Sequence, residues 1–283
     1  MSEQNKHVVC VRDLVLGVKE NEGGEENFRF FIEYGNFNID LGDFVLIKGR
    51  NGCGKSTFLR LFCLQGMDYF KVVGGQIRFC AAGFPESSIQ DYSRDELTHL
   101  TCAVSFIGQE ERFLSSDSAY SYIYNACKIA LEYDKTMTAA QKRERLREVD
   151  SVIYDYYEAY LASSFLCKNY KTFKNKNVRA WSGGQQKMIN VLAGIIKARV
   201  CGLKLMVMDE PLNNLDGWNK DILNKLIADL RRGEVAVIAI THCQIFDGVN
   251  KVLNLVEGED GVCRATLYER GEPAHSECLE NFN

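Results

Sequence analysis

The stretch that decides the fold is the nine-residue segment GRNGCGKST at positions 49–57. It follows the apolar run Phe44 to Ile47 and opens a helical pattern over Lys55 to Leu64. Glycines let the backbone turn tightly, so that successive N–H groups can point at phosphate oxygens. A strand, such a loop and a helix in this order predict a phosphate-binding loop. The nine residues are Gly49, Arg50, Asn51, Gly52, Cys53, Gly54, Lys55, Ser56 and Thr57.

An accidental match is the alternative interpretation of this segment. Average residue frequencies produce such a pattern about once per hundred chains of this length, before the flanking strand and helix are required. In a functional loop, Lys55 contacts the β- and γ-phosphates and Ser56 ligates Mg²⁺. Cys53, beside Lys55 and a helix start, is either a reactive thiolate or a small inert filler. The segment therefore predicts nucleoside triphosphate and Mg²⁺ as ligands.

Length and composition limit the possible classes of protein. The 283 residues are 46% hydrophobic and 25% charged, which suits one large α/β domain. A formal net charge of −4 gives no broad basic surface, so nucleic acid is not an expected partner. No apolar stretch approaches the roughly 18 residues of a membrane-spanning helix. Eleven scattered cysteines without CxxC pairs indicate reduced thiols in the cytoplasm, with neither zinc nor disulfides.

Two more apolar runs resemble the strand that precedes the loop. They are Leu205 to Met208 and Val235 to Ile240, and the helical patterns Gly184 to Arg199 and Asp216 to Arg231 alternate with them. Continuous apolar runs are typical of strands that are buried on both faces of a parallel sheet. The alternation predicts an α/β fold with a mainly parallel sheet.

The remaining patterns surround this core. His7 to Val18 and Phe28 to Leu41 alternate like antiparallel strands, around an exposed loop at 20–26. From about 115 to 168 the pattern is helical, and Thr138 with Gln141 predicts a capping box at one helix start. We therefore expect an N-terminal antiparallel β subdomain and an inserted α-helical subdomain.

Two carboxylates, Asp209 and Glu210, end the run that begins at Leu205. Ligands of α/β proteins bind at this end of the strands. Asp209 would hold Mg²⁺ through water, and Glu210 would polarise the attacking water as general base. The alternative is a carboxylate that caps the following helix, with Pro211 in the first turn. Together with the phosphate-binding loop, the pair favours hydrolysis.

The segment Trp181, Ser182, Gly183, Gly184 and Gln185 precedes a helix and lies ahead of the strand that ends in the two carboxylates. In this order, SGGQ resembles the signature motif of ATP-binding cassette (ABC) ATPases, although alone it could be any helix start with small residues. In that family the signature acts across a dimer on the γ-phosphate of ATP bound to the partner's loop. The resemblance implies a P-loop NTPase core and a homodimer or a paired ABC subunit.

The resemblance implies roles for single residues as well. Gln109 resembles the Q-loop glutamine that reaches Mg²⁺, and Asp216 resembles the D-loop aspartate. His242 resembles the switch histidine that contacts the γ-phosphate and orders Glu210. The alternatives are a surface glutamine, a helix N-cap aspartate and a structural histidine.

The resemblance covers residues 8–268 and has two departures: Trp181 stands where leucine is commoner, and the expected aromatic residue for the base is missing. The family usually stacks adenine on an aromatic residue near the place that Val18 occupies here. Phe28 or Phe30 could substitute if the loop at 20–26 folds back. We therefore expect weak discrimination of ATP from GTP.

The resemblance also implies the kind of assembly in which the ATPase works. Lys55 and Ser182 lie 127 positions apart, too close for the long coiled coils of chromosome-maintenance relatives. A stand-alone cassette resembles the ATPase subunit of an ABC transporter, cytoplasmic and peripheral on the cytoplasmic face of a membrane, bound to separately encoded integral membrane permease subunits. The alternative is a soluble ABC ATPase that acts in cofactor assembly or signalling without a permease.

The expected organisation is a single ABC ATPase domain over 1–283. It has an α/β core with the β subdomain at 1–110 and 178–270, and a helical signature subdomain at 111–177. Permease contacts are expected near the Q-loop, where Phe113 and Leu114 are candidates. The tyrosines at 120, 122 and 124 could contact the permease or belong to the core of the insert.

Overall fold

The structure is a computed structural model that describes residues 6–19, 27–63, 69–81, 83–109, 113–162, 169–213, 215–241 and 246–272. The described strands are β1 (His7–Lys19), β2 (Phe28–Tyr34), β3 (Phe37–Asp40), β4 (Phe44–Gly49), β5 (Phe70–Phe79), β6 (Val104–Ile107), β7 (Leu205–Asp209), β8 (Ala236–Ile240), β9 (Lys251–Glu257) and β10 (Cys263–Glu269). The described α-helices are α1 (Lys55–Arg60), α2 (Arg94–Ala103), α3 (Ala119–Tyr133), α4 (Ala139–Tyr156), α5 (Tyr170–Asn175), α6 (Gly183–Cys201) and α7 (Gly217–Arg232).

Five strands form the parallel part of the sheet, in the order β9-β4-β8-β7-β6. Side chains of β4 alternate between two cores. Phe44 and Leu46 pack in the cluster that contains the long helices, whereas Val45 and Ile47 pack in the cluster that contains α1. Both faces are covered, which explains the continuous apolar runs in the sequence. The predicted mainly parallel α/β sheet is confirmed.

An antiparallel region continues this sheet. β1 pairs with β2, β3 and β5, and β10 joins β2 in parallel and β9 antiparallel. The strand-like alternation over Phe28 to Leu41 corresponds to two strands, because the chain turns at Gly35 and Asn36 between β2 and β3. The Asn36 amide donates to the Asp13 carboxylate at 2.9 Å, which fixes this turn against β1.

β5 is a strand that the sequence patterns did not predict. Gly74 and Gly75 interrupt its apolar pattern. A Cβ on Gly75, whose φ is 69°, would lie 2.0 Å from the carbonyl oxygen of Asp13, where β1 shifts register. The close approach of the two backbones requires glycine there.

The helical insert contains α3, α4 and α5, which pack with α6. The predicted capping box of α4 is confirmed. The Gln141 N–H donates to the Thr138 hydroxyl, and the Thr138 N–H donates to Gln141 Oε1. Val149 and Ile153 are buried on the inner face of α4. In the described segments, no helix combines the length and apolar character that are needed to cross a bilayer.

Candidate functional site

The loop from Gly49 to Gly54 connects the carboxyl end of β4 to α1. All three of its glycines have positive φ: 147° at Gly49, 86° at Gly52 and 91° at Gly54, the N-cap of α1. A Cβ on Gly54 would lie 2.1 Å from Ile32 Cδ1, so the loop packs closely on β2. No side chain hydrogen-bonds to the cap, and the first turn carries no acidic residue. The backbone N–H groups of this turn are thus suited to an anion.

Lys55, the first residue of α1, is buried by the loop. Its Nζ donates to the carbonyl oxygens of Gly49 at 2.8 Å and Arg50 at 3.0 Å. These two bonds place the ammonium group inside the curve of the loop. The positive charge therefore lies beside the backbone at the start of the loop.

Ser56 and Asp209 meet, although they come from α1 and from the end of β7. The Ser56 hydroxyl donates a hydrogen bond to the Asp209 carboxylate. Burial raises the pKa of Asp209, an effect that this bond and the charges of Arg60, Lys187 and Lys55 partly offset. Asp209 Oδ1 is buried and has no hydrogen-bond partner among the described residues. A hydroxyl and a carboxylate oxygen with free lone pairs are hard donors, so this pair fits Mg²⁺.

Glu210 follows β7 with a left-handed backbone, φ 51°. Its N–H donates to the carbonyl oxygen of Ile240 at the end of β8, at 3.0 Å, and its side chain is 2% exposed. Such backbone strain costs on the order of 1–3 kcal/mol for a non-glycine residue and often occurs at functional sites. The alternative of a helix-capping carboxylate is wrong for Asp209 and Glu210, because α7 begins at Gly217 and Asp216 is its N-cap.

Gln109 lies just beyond the carboxyl end of β6, and its side chain is exposed. A buried lysine of α6 binds the backbone there. Lys187 Nζ donates to the carbonyl oxygens of Gly108 at 2.9 Å and Gln109 at 3.2 Å. Lys187 also contributes to the electrostatic environment of Asp209. This lysine was not singled out in the sequence, because a lone lysine within a helical pattern carries no signal of burial.

The SGGQ segment forms the N-terminus of α6. Ser182 is the N-cap, and Ser182 and Gln185 form a capping box: the Ser182 N–H donates to Gln185 Oε1 at 3.0 Å, and the Gln185 N–H donates to Ser182 Oγ at 3.4 Å. Ser182 and Gly183 are exposed, and nothing lies within 4 Å of the position of a Cβ on Gly183. These contacts are local to the helix start.

The other predicted site residues are Asp216, His242 and the candidates for the base. Asp216 caps α7 by accepting a hydrogen bond from the N–H of Asn219 at 2.9 Å. His242 and the loop at 20–26 lie outside the described residues. Val18 pairs with Phe30 across the β1–β2 ladder. Phe30 and Ile32 lie on the same face of β2. Ile32 is the residue that contacts Gly54 of the phosphate-binding loop.

Comparison with known proteins agrees with this arrangement. A family model described as ABC transporter matches residues 33–213. The molybdate import ATP-binding protein MolC of Haemophilus influenzae is 28% identical over 233 residues, which are 81% of this chain and 74% of that protein. The phosphate import ATP-binding protein PstB 2 of Lactobacillus acidophilus is 26% identical over 208 residues, 73% of this chain and 72% of that protein.

Solved structures share the fold. CbiO1 from Clostridium perfringens, part of the ABC transporter complex cbiONQ, superimposes with a TM-score of 0.65 at 21% identity, over 97% of this chain and 93% of that one. A dimeric ATP-binding cassette in a post-hydrolysis state, bound to ADP and Pi, gives a TM-score of 0.59 at 22% identity, over 93% of this chain and all (100%) of that one. The predicted P-loop NTPase fold class is confirmed.

Proposed function

This chain belongs to the ABC transporter family, and from that premise we propose that it powers substrate transport through a separately encoded membrane permease. As a member of the family it binds ATP and is an ATPase. The contact between Ser56 and Asp209 carries the assignment of the chemistry, because it joins the phosphate-binding loop to the carboxylate strand. Hydrolysis of ATP needs the phosphate-binding loop and the carboxylate strand to meet at the same phosphate.

We assign the following roles to the site. Backbone N–H groups from Gly49 to Thr57 and the Lys55 ammonium hold the phosphates. Glu210 polarises the attacking water as general base, and His242 contacts the γ-phosphate. Mg²⁺, held by Ser56, by Asp209 through water and by Gln109, would neutralise the charge of the β- and γ-oxygens. Replacing Asp209 with Asn should weaken ATP binding with Mg²⁺ more than without it; equal losses would contradict this role.

We propose that the active form is a dimer, with the chain paired with itself or with another ABC subunit. The exposure of Ser182 and Gly183 supports this, since a helix start that faces solvent is open to a partner's nucleotide. We also propose the division into a core at 1–110 and 178–270 and a signature subdomain at 111–177. ATP would then lie between one chain's loop and the partner chain's signature, and Asp216 would lie at the same interface.

Mixing two inactive variants tests this dimer. Lys55→Met disables the loop, and Gly183→Asp places a carboxylate at the signature, where an added Cβ meets no atom within 4 Å. A heterodimer of the two retains one intact composite site. If sites act independently, the mixture should recover up to about a quarter of the parental ATPase activity. No recovery, despite mixed dimers detected by mass spectrometry, would contradict action across a dimer.

We propose Phe30 as the platform for the base. Its position opposite Val18 in the β1–β2 ladder supports this proposal. Phe31, on the other face of β2, provides the control. Phe30→Leu should weaken ATP and GTP binding alike, in keeping with weak discrimination between them, whereas Phe31→Leu should not. A strong preference of the parent for ATP would contradict the weak discrimination.

The permease is proposed to contact the chain near the Q-loop and on the helical insert. Leu114 is 69% exposed, whereas Phe113 is buried at 8% and Tyr120, Tyr122 and Tyr124 pack partly against the helical core. Of these five residues, Leu114 is therefore the best candidate for a contact with the permease. The import substrates named for the two relatives differ from each other, in keeping with substrate selection by the permease.

Copurification separates transport from the alternative function. A Glu210→Gln chain, which should hold ATP without turnover, is tagged and recovered from gently solubilised membranes. A membrane-spanning partner that is lost on Leu114→Asp supports transport and a peripheral position on the cytoplasmic face of the membrane. Recovery only from the soluble fraction with soluble partners would instead favour an ABC ATPase in cofactor assembly or signalling.

A further inference from the structure

Cys53 of the phosphate-binding loop and Cys263 of β10 are neighbours, although 210 positions separate them in the sequence. The Cys263 thiol donates a hydrogen bond to the sulfur of Cys53. Cys263 reaches the loop because it pairs with Ile32 of β2, the residue that packs against Gly54. Both cysteines are free, and they share one buried cluster. A loop thiol and a sheet thiol are therefore in contact beneath the phosphate-binding backbone.

The surroundings favour reaction at Cys53. The hydrogen bond from Cys263 and the charge of Lys55 lower the pKa of Cys53 to about 7, against the effect of burial. The hydrogen bond to Cys53 raises the pKa of Cys263, so Cys53 is the thiolate of the pair. The Tyr34 hydroxyl is buried with no hydrogen-bond partner among the described residues, and burial, followed by the charges of Cys263 and Cys53, raises its pKa.

We propose that Cys53 and Cys263 form a peroxide-sensitive dithiol that closes to a disulfide and thereby blocks nucleotide binding. The inference rests on the proposed function, in which the loop holds the phosphates of ATP. The Cys53 side chain is 8% exposed, and the neighbouring Asn51 and Gly52 are exposed, so an oxidant as small as hydrogen peroxide has a short path to it.

The chemistry balances with hydrogen peroxide as the oxidant. The Cys53 thiolate attacks one peroxide oxygen, an S–O bond forms, the O–O bond breaks, and hydroxide leaves and is protonated to water. The Cys263 sulfur then attacks the Cys53 sulfur, the S–S bond forms, and the oxygen leaves as a second water with the Cys263 proton. Two thiols and one peroxide thus give one disulfide and two waters.

The consequence for binding follows from geometry. A disulfide holds its sulfurs at about 2.05 Å, closer than a thiol hydrogen bond does. Residue 53 is consequently drawn towards β10, and the N–H groups of Gly54 and Lys55 move with it. A displacement of about 1 Å in a binding site can cost on the order of 10²-fold. We expect at least a tenfold loss of ATP affinity, which dithiothreitol restores.

The experiment treats the full-length protein with hydrogen peroxide and measures two quantities separately. Peptide mass spectrometry reports the bond between Cys53 and Cys263, and titration reports the ATP affinity before oxidation, after it and after reduction. Bound ATP should slow the cross-link. If no such bond forms, the inference fails while ATP binding by the reduced protein still stands. If the reduced protein does not bind ATP, the proposed function fails irrespective of the cross-link.

The chain supplies its own control. The sulfurs of Cys10 and Cys80 are 3.1 Å apart between β1 and β5, and the pKa of Cys10 is lowered to about 6, first by the hydrogen bond from Cys80. Oxidation there should not affect the loop. Cys80→Ala should therefore leave the peroxide effect on ATP binding intact, whereas Cys263→Ala should abolish it. Equal loss of affinity in the parent and Cys263→Ala would overturn the disulfide as the cause.

Discussion

The phosphate-binding loop and the start of α6 are both glycine-containing helix starts, but they are built from different contacts. The loop is held by distant parts of the chain: Ile32 packs on Gly54, and Asp209 accepts a hydrogen bond from Ser56. The start of α6 is held by its own capping box between Ser182 and Gln185, with exposed Ser182 and Gly183. The first region is assembled by the fold, whereas the second needs only its helix.

This difference has a functional meaning under the proposed mechanism. A site that binds the phosphates must be rigid before ATP arrives, and long-range contacts provide that rigidity. A surface that closes on a partner's nucleotide must present its donors and remain accessible. We therefore expect substitutions in the loop region to disturb both fold and binding, and substitutions at the start of α6 to disturb turnover mainly.

The largest effect is expected for Glu210→Gln, at the end of β7. The amide keeps the shape of the side chain but cannot accept a proton, so the rate of ATP hydrolysis should fall by at least about 10²-fold while ATP binding is retained. Glu234 is a matched control, because its backbone is also left-handed, φ 61°, and its side chain is exposed. Glu234→Gln should hydrolyse ATP at the parental rate. Similar rates of ATP hydrolysis for Glu210→Gln and the parent would contradict the role of Glu210 as general base.

The next effect compares one glycine from each region. In Gly49→Ala, the new Cβ would lie 2.7 Å from the carbonyl oxygen of Leu255, at φ 147°. The free energy of unfolding should fall by about 1–3 kcal/mol, and ATP affinity should fall with it. In Gly183→Ala, the Cβ meets nothing within 4 Å, and stability should stay within about 0.5 kcal/mol of the parent. Denaturant unfolding of both variants measures this, and equal losses would break the comparison.

The two regions also differ in how far the sequence predicts them. The strand and helix around GRNGCGKST, the strand that ends at Asp209, and helices α6 and α7 are predicted to within a few residues, because apolar runs and caps are local signals. The meeting of Ser56 and Asp209 follows from the order of motifs. The contact of Cys53 with Cys263 depends on the pairing of β10 with β2, which no local pattern encodes. The left-handed backbone of Glu210 and the burial of Lys187 likewise arise only when the sheet and α6 pack.

A smaller effect is expected at the bonds between α6 and β6. Lys187 Nζ donates to carbonyl oxygens of Gly108 and Gln109 beyond one end of β6, and Lys197 Nζ donates to that of Val104 at the other end, at 2.9 Å. Replacing either lysine with Met removes a charged donor and should lower the free energy of unfolding by about 1–3 kcal/mol. Only Lys187→Met should also lower the rate of ATP hydrolysis, because only that end carries Gln109. Equal rates in both variants would make Lys187 purely structural.

The smallest effect is expected for Ser182→Ala, and it separates the two possible roles of the signature. Thr138 caps α4, in the helical insert, with the same kind of capping box. Loss of either cap should lower the free energy of unfolding by about 1 kcal/mol, as denaturant titration can measure. If the Ser182 hydroxyl also contacts a partner's γ-phosphate, Ser182→Ala should hydrolyse ATP more slowly than Thr138→Ala at equal stability. Identical hydrolysis rates in the two variants would mean that the Ser182 hydroxyl only caps α6. The proposed contact across the dimer would then be made by the backbone of Gly183 and Gly184.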